Sequence, residues 1–387
     1  MKIILHLNHA TDNKDDRHLL YFVCSYYVIQ ALNFLISNMG LNGIAWTILS
    51  RGILAILSLF AWVVILKRKL VAALMVELFM GGSLLRTWLL GSPVEDFQTI
   101  AFNLLFSFIP MGLAFLSVRQ GELIDSFFYR AALIIDVICF ICIIFYPPEN
   151  YSMTIGYILL LPLLISLEHI FLRFRWFDLL IAAVDLSIII LYGSRGPLLC
   201  VVAFLLIKIY LQNTLSNSRK YLYVVGTIIL GLILFIYADT FVLLLADVLS
   251  RFGINSRTLQ MTLSGRLSDY TSRDTIFTYY MNETMQAPLI GYGLAGSWSL
   301  NTYPHNVVVE VLHSYGIPLG SLILMATLLV VLNGLSRKRR VKDQYSYIFA
   351  AEMLSLFLSG SFIMSPLFFV GLASCLRKDL DPAYQRV

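Results

Sequence analysis

Long runs of apolar residues recur along almost the whole of this 387-residue chain. A helix needs about 20 consecutive, mostly apolar residues to cross the hydrocarbon core of a bilayer. The sequence predicts twelve such helices, at 19–38, 44–66, 70–90, 97–118, 131–146, 152–172, 177–193, 197–212, 221–246, 305–334, 345–359 and 361–376. We therefore expect an all-α polytopic membrane protein with about 12 transmembrane helices.

The composition agrees with a membrane-embedded chain. Hydrophobic residues make up 59% of the sequence and charged residues only 13%, whereas a soluble domain carries about 25% charged residues. The mean hydropathy is +0.80. These values exclude a water-soluble enzyme, a secreted domain and a disordered chain. The formal net charge of +5 is too small to indicate nucleic-acid binding, so we expect no nucleic-acid partner.

The positions of the cations predict an orientation. All but seven of the 28 Lys and Arg residues fall on one side of the membrane if both termini are cytoplasmic, as the excess of Lys and Arg in cytoplasmic loops requires. The predicted organisation is a cytoplasmic segment 1–18, nine helices within 19–246, one long external loop 247–304 with short helices, three helices within 305–376, and a cytoplasmic tail 377–387.

The seven remaining cations are all arginines on the external side: Arg51, Arg86, Arg195, Arg251, Arg257, Arg266 and Arg273. A guanidinium group binds phosphate through two parallel hydrogen bonds. The set therefore indicates an external anion such as phosphate. For Arg51 and Arg86, a side chain that extends along the lipid to the membrane surface is an equally good explanation.

The external loop contains a predicted helix at 262–285. Arg266, Tyr270, Arg273 and Phe277 would share one of its faces, which could cover a lipid headgroup. The alternative is a helix that only rests on the membrane surface. Gly291, Gly293 and Gly296 follow in the pattern G-x-G-x-x-G, but a dinucleotide site needs a βαβ unit. We expect these glycines to form a tight turn toward the membrane.

Two short motifs at the external surface could carry chemistry. Pro304 is predicted to open a helix with His305 in its first turn, where an imidazole could act as a general base. Glu310 and His313 follow on the same helix and could orient His305 or line a cavity. Arg195 lies in a turn between Gly193 and Gly196, where it could point into a cleft or cap the turn.

No pattern indicates a metal ion or a cofactor. The five cysteines lie within apolar runs, where Cys139 and Cys142 are best explained as small core residues. The D-x-D pair, Asp379 and Asp381, lies in the predicted cytoplasmic tail. We therefore expect no metal and no cofactor, which argues against a metal-dependent transferase that uses a nucleotide sugar.

Three groups of residues resemble bacterial O-antigen polymerases and O-antigen ligases. They are GSRG at 193–196, SGR at 264–266 followed by PLIGYG at 288–293, and PHN at 304–306 followed by VVVEVLHSYGIPLG. The resemblance covers about residues 185–330, and the first half of the chain is similar only in its topology. It implies a membrane-embedded fold similar to the GT-C type.

The resemblance also implies roles for residues. His305 would be catalytic, and Arg195 and Arg266 would contact the pyrophosphate of a lipid-linked donor, with Arg257 and Arg273 as competitors for the place of Arg266. We expect Tyr270, Asn306, Glu310 and His313 to support the site. The implied enzyme is a metal-independent, inverting glycosyltransferase in the bacterial cytoplasmic (inner) membrane.

The expected function is polymerisation of a surface polysaccharide, an O-antigen or a capsule. The enzyme would transfer glycan from undecaprenyl pyrophosphate to a hydroxyl of another lipid-linked repeat unit. Its partners would be this lipid-linked oligosaccharide, membrane lipid and a copolymerase that controls chain length. Two alternatives stay open: an O-antigen ligase or protein O-oligosaccharyltransferase, and a lipid-linked glycan flippase or other transporter.

Overall fold

The computed structural model describes residues 2–41, 43–91, 94, 96–146, 153–192, 195–211, 217–237, 240, 271–296, 303–336 and 344–377. Within these ranges the secondary structure is helical and contains no strand. The first helices are α1 (Lys2–Asn38), α2 (Ile44–Leu89), α3 (Phe97–Asn103), a π-helical segment (Leu104–Phe108), α4 (Ile109–Ser117), α5 (Gly121–Phe145), α6 (Met153–Leu172), α7 (Trp176–Leu191), α8 (Arg195–Leu211) and α9 (Asn217–Ile236).

The remaining described helices are α10 (Thr271–Gln286), α11 (Val307–Ser336), α12 (Gln344–Glu352), α13 (Ser355–Leu358) and α14 (Leu367–Leu376). Among the described residues, six helical stretches are long and apolar enough to cross a membrane: Asn13–Asn38, Ile44–Leu89, Phe97–Ser117, Gly121–Phe145, Met153–Leu172 and Val307–Ser336. The chain is a helical membrane protein.

Helix α1 differs from the prediction because it includes the polar segment 1–18 from Lys2 onward. The side chain of Asp16 is completely buried. It binds Arg68 and accepts hydrogen bonds from the backbone N–H groups of Arg119, at 3.1 Å, and Gln120, at 2.8 Å. A buried carboxylate with these donors is well compensated, so Asp16, at the end of this polar segment, is part of the helix bundle.

Helix α2 begins by running parallel to the segment 97–117. Ser58 Oγ donates a hydrogen bond to Phe106 O at 2.7 Å, and Arg68 Nη1 donates to Ser117 O at 2.9 Å. The two contacts occur in the same order along both segments. Phe97 is therefore level with the start of α2, roughly 30 Å from Arg68 at the α-helical rise per residue.

The second half of α2 must return toward Phe97. A straight α2 would leave Leu89 about 60 Å from Phe97, yet the residues between them can span only about 28 Å. The reversal is at Lys69, whose φ of −140° and ψ of 34° are non-helical. The predicted segments 44–66 and 70–90 are thus two antiparallel halves of one helical stretch.

This reversal defines two ends of the bundle. The Arg68 end contains Asp16, Arg68, Ser117 and Val118, with Arg377 Nε donating to Val118 O at 3.2 Å. At the Arg86 end, Arg86 Nη2 donates to Gly291 O at 2.8 Å and Thr87 Oγ1 donates to Leu294 O at 2.9 Å. The residues 287–296 therefore lie against the end of α2 that is remote from Arg68.

The last three predicted helices have different outcomes. The segment predicted at 305–334 is α11, which has non-helical backbone at Gly316. The segments predicted at 345–359 and 361–376 are instead the short helices α12, α13 and α14, with non-helical backbone at 359–366. These two interruptions position the candidate site.

Candidate active site

Residues 344–377 form a hairpin whose two limbs start at the Arg68 end. Gln344 Nε2 donates to Asp125, near the start of α5, and Arg377 binds Val118. A helical rise from Gln344 to Ser359 covers at most about 22 Å, and a hydrocarbon core is about 30 Å thick. The tip of this hairpin, residues 359–366, therefore lies within the membrane-spanning part of the bundle.

Helix α11 divides at Gly316 into two parts with different surroundings. Gly316 has a φ of 76° and a ψ of 171°, a conformation that is essentially restricted to glycine. Most side chains from Val307 to Tyr315 are buried, whereas Leu322, Met325, Leu328, Leu329 and Leu332 are exposed. The first part of α11 therefore lies inside the protein, and the second part presents apolar side chains to lipid.

The loop at 288–293 replaces the hydrogen bonds that this interruption removes. Pro318 has no N–H, so it cannot donate to Ser314 O; instead Gly293 N donates to Ser314 O at 2.8 Å. Tyr292 N donates to His313 O at 2.8 Å, and Ile317 N donates to Pro288 O at 2.7 Å. Broken helices within membranes require such replacement partners.

The glycines of this loop make the close approach possible. Gly291 and Gly293 have φ values of 62° and 87°, in the region that favours glycine. A β-carbon on Gly291 would lie 2.6 Å from His313 O. The loop turns tightly against the helix bundle, and its glycines act in backbone packing.

Asn306 caps α11 and fixes how the chain enters it. Its Oδ1 accepts hydrogen bonds from Val308 N at 2.9 Å and Val309 N at 3.3 Å, the arrangement of an N-cap residue. Its Nδ2 donates to Phe357 O, in α13, at 3.1 Å. The helix thus begins at Val307, and the prediction that His305 occupies its first turn is wrong.

His305 precedes the cap in a strained conformation. Its φ of 55° lies in the left-handed region, which is uncommon for a residue with a side chain. Its Nδ1 lies 3.3 Å from Ser359 O. Because a carbonyl oxygen can only accept, Nδ1 carries the proton in the neutral ring and Nε2 is the basic nitrogen.

Two further groups bind the hairpin tip. Tyr303 OH donates to Ser359 O at 3.1 Å. The carboxylate of Glu310, which is 1% exposed, accepts a hydrogen bond from Ser361 Oγ and another from Phe362 N at 2.9 Å. The first part of α11 and the hairpin tip therefore form one hydrogen-bonded unit, which we call the Ser359 cluster: Tyr157, Tyr303, His305, Asn306, Glu310, Ser359 and Ser361.

Tyr157 connects this cluster to the start of α8. Its hydroxyl hydrogen-bonds to Ser359 Oγ. A β-carbon on Gly196 would lie 3.2 Å from Tyr157 Cζ and closer still to the hydroxyl oxygen. The first turn of α8, which begins at Arg195, is therefore in direct contact with a side chain that binds the same serine as His305.

The predicted site residues fall into four groups. His305, Asn306 and Glu310 come together in the Ser359 cluster. Arg195 begins α8 and Arg273 lies in α10, but their side chains are outside the part that the structure describes. Arg257, Arg266 and Tyr270 lie outside the described residues.

His313 belongs to a different group. Its Nε2 lies 3.3 Å from Glu283 Oε2, and its ring is stacked on Tyr292 with centroids 4.7 Å apart. Tyr279 OH donates to Glu283 Oε1 at 2.9 Å. Burial and the nearby Glu283 charge raise the pKa of the Tyr292 phenol above its ordinary value. These contacts attach α10 to the first part of α11.

The two arginines that allowed a lipid-surface explanation have different environments. Arg86 donates to the loop carbonyl of Gly291 at 2.8 Å, so it holds the loop in place. Arg51 is exposed on α2. Phe277, the described member of the predicted basic-aromatic face, is 45% exposed.

Sequence reasoning missed Tyr157, Ser359 and Ser361. Tyr157 lies in an apolar stretch and carries no local signal. Ser359-Gly-Ser361 and Ser365-Pro366 do interrupt the last apolar run, and such residues mark turns. Among the described residues, no three His, Cys, Asp or Glu side chains are grouped as metal ligands.

Comparison of the chain with protein-family models, with curated proteins and with solved structures gives no match.

Proposed function

We propose that the chain is a polymerase of a bacterial surface polysaccharide, an O-antigen or a capsule. It would transfer glycan from undecaprenyl pyrophosphate to a hydroxyl of another lipid-linked repeat unit. One observation carries this proposal: His305 and the first turn of α8 both reach Ser359, the former directly and the latter through Tyr157. His305, as the base, and the start of α8, as the anion-binding group, would therefore lie at the same Ser359 cluster.

The start of α8 suits the pyrophosphate of the donor. Unpaired N–H groups and the helix dipole favour an anion at a helix N-terminus, and the Arg195 guanidinium would add charge-assisted hydrogen bonds. Each such bond contributes about 1.5–3 kcal/mol. Arginines can therefore neutralise the leaving group without a metal ion. Arg266, Arg273 and Arg257 remain the proposed additional contacts from the external loop.

His305 would remove the proton from the acceptor. The acceptor oxygen attacks the anomeric carbon, the bond from that carbon to the phosphate oxygen breaks, and its electron pair leaves on the pyrophosphate. The hydroxyl proton passes to His305 Nε2. The hydrogen bond from Nδ1 to Ser359 O stabilises the resulting imidazolium. Attack opposite the leaving group inverts the anomeric configuration.

The proposal also gives an orientation and partners. Both termini and the Arg68 end would be cytoplasmic, and the Arg86 end would face the outside of the cytoplasmic membrane, where the lipid-linked repeat units are presented. A copolymerase that controls chain length would be a protein partner. An O-antigen ligase or protein O-oligosaccharyltransferase would use the same donor chemistry with a different acceptor.

A second candidate is a lipid-linked glycan flippase or other transporter. The observation that favours it is the meeting of two interrupted segments, α11 at its start and the hairpin at 359–366, within the membrane-spanning part. Transporters often form their substrate sites from discontinuous helices near the bilayer midplane.

One assay separates these functions. The purified protein is reconstituted in vesicles with fluorescent undecaprenyl-pyrophosphate repeat units, and products are separated by size. Polymers with release of undecaprenyl pyrophosphate would support the polymerase. Movement of the lipid across the bilayer without a new glycosidic bond would overturn it in favour of transport. Transfer that occurs only after a lipid A core acceptor is added would overturn it in favour of a ligase.

A further inference from the structure

Two buried aspartates lie in a different part of the bundle from the Ser359 cluster. Asp136 in α5 is 8% exposed and Asp185 in α7 is 1% exposed. Among the residues that the structure describes, neither carboxyl oxygen of Asp136 nor the Oδ2 of Asp185 has a hydrogen-bond partner. Buried polar groups are nearly always paired, so three unpaired carboxyl oxygens at this degree of burial need an explanation.

The register of the two helices places both carboxyls at the same level of the bundle. Helices α5 and α7 start at the same end of the bundle, because His169 near the end of α6 contacts Asp125 near the start of α5. Tyr129 OH donates to Asp178 Oδ1 at 2.7 Å. Asp136 and Asp185 each follow this pair by two helical turns, on the same faces.

The pair also shares one level of the bundle. Two carboxyl groups that can bind a cation through oxygen lie at the same height on α5 and α7. The buried Cys139 side chain lies one turn beyond Asp136 on α5.

The neighbouring segments supply little positive charge. The sequence has no Lys or Arg between Arg130 and Arg173 or between Arg175 and Arg195. Besides the pair, the titratable side chains on the adjoining stretches of α1, α5, α6, α7 and α8 are Cys24, Tyr26, Tyr27, Cys139, Cys142, Tyr157, Tyr192, Arg195 and Cys200. Of these only Arg195 is cationic, and its side chain lies outside the described residues.

Two ionised carboxylates without a counter-charge would be very costly in such a place. Desolvation penalises each charge by several kcal/mol, on the order of the whole stability of a domain, and like charges repel. We propose that Asp136 and Asp185 form a binding site for one monovalent cation, either a proton that they share or a Na⁺ ion. This site is independent of the proposed transferase function.

The wild-type protein allows a direct test. A hydrophobic carbodiimide forms stable adducts with protonated carboxyls in apolar surroundings, and mass spectrometry identifies the labelled residue. The full-length protein in detergent is treated in Na⁺-free buffer at several pH values, with and without added Na⁺. Labelling of Asp136 or Asp185 that falls as the pH rises and is unaffected by Na⁺ supports the shared proton. Labelling that Na⁺ suppresses supports a Na⁺ site.

The absence of labelling at both aspartates across the pH range would overturn the proposal. An ionised Asp185 that is paired with Arg195 would give this result.

Thermal unfolding adds a second measurement. A shared proton stabilises the fold only while it is bound, so Tm falls as the pH rises; a bound Na⁺ raises Tm with its concentration. Asp136→Asn and Asp185→Asn should lose this dependence of Tm on pH or on Na⁺. Glu122→Gln, which changes an exposed carboxylate on α5, should retain it.

Discussion

Ser359 joins the residues of the proposed site through both of its polar groups. Its carbonyl accepts hydrogen bonds from Tyr303 and His305, and its hydroxyl binds Tyr157. A single backbone position therefore sets where the imidazole lies relative to α8. We therefore expect small changes around this serine to alter activity more than they alter the amount of folded protein.

Gly196→Ala tests the contact between α8 and Tyr157. The added β-carbon would overlap the Tyr157 hydroxyl, so we expect displacement of Tyr157 and at least a tenfold loss of polymerisation. Gly226→Ala is the matched control, because no atom lies within 4 Å of a β-carbon there. The double variant Gly196→Ala with Tyr157→Phe should recover part of the activity; equal activity in Gly196→Ala and wild type would contradict the contact.

Glu310→Leu tests the link between α11 and the hairpin tip. The carboxyl group accepts from both Ser361 Oγ and Phe362 N, and leucine, which has no acceptor, leaves the buried Phe362 N–H unpaired. We expect a loss of about 1–3 kcal/mol from the unpaired buried group, measured as a lower Tm. The exposed Glu122→Leu should unfold at the wild-type temperature, and an unchanged Tm for Glu310→Leu would refute the link.

Two interruptions of helical backbone determine how the helices around the proposed site are arranged. Gly316 interrupts α11, and residues 359–366 form the tip of the hairpin, so short helical segments meet inside the bundle. The loop 288–293 supplies the donors and acceptor that the Gly316 interruption requires. The interruption at Gly316 depends on hydrogen-bond partners from a distant part of the chain. A change that displaces these partners should therefore destabilise the folded protein.

Gly316→Ala should be severely destabilising. The backbone conformation alone costs a residue with a side chain about 1–3 kcal/mol, and the β-carbon would lie 2.6 Å from the Leu289 carbonyl carbon. We expect a much lower yield of folded protein, measured by size-exclusion chromatography of the solubilised membrane fraction. Gly82→Ala, where no atom lies within 4 Å of the new β-carbon, should give the wild-type yield. A wild-type yield of Gly316→Ala would contradict the importance of the break at Gly316.

These interruptions also separate the features that the sequence predicts from those that it does not. Apolar runs predicted the helical stretches at 44–66, 70–90, 97–118 and 152–172, because hydropathy reports which residues avoid water. It does not report which backbone hydrogen bonds are made, so the run at 345–376 was predicted as two whole helices. His305 was found from its motif, but its position before the cap depends on Asn306, whose short side chain accepts the first free N–H groups.

At the scale of the whole molecule, the reversal at Lys69 and the two ends of the bundle define the topology. Arg68 and Arg86 lie at opposite ends of the second half of α2, and each is held by contacts to other segments. The proposed orientation assigns the Arg68 end to the cytoplasm. The Arg86 end, with the loop 287–296, then faces the compartment that holds the lipid-linked donor.

Single cysteines test this topology. The five native cysteines are all buried, so an introduced surface cysteine should dominate labelling. In intact cells we expect a membrane-impermeant maleimide to label Gln286→Cys, near the Arg86 end, and to label Glu122→Cys, at the Arg68 end, only after permeabilisation. Both substituted residues are exposed. Labelling of Glu122→Cys alone in intact cells would show the opposite orientation.

The most direct measurement is release of undecaprenyl pyrophosphate by purified His305→Ala in vesicles that contain lipid-linked repeat units. We expect at least a hundredfold loss relative to wild type at equal amounts of folded protein, and partial recovery when free imidazole is added to replace the missing base. His18→Ala, at a half-buried histidine of α1, should keep full activity. Near-normal release by His305→Ala would contradict the role of His305 as the base.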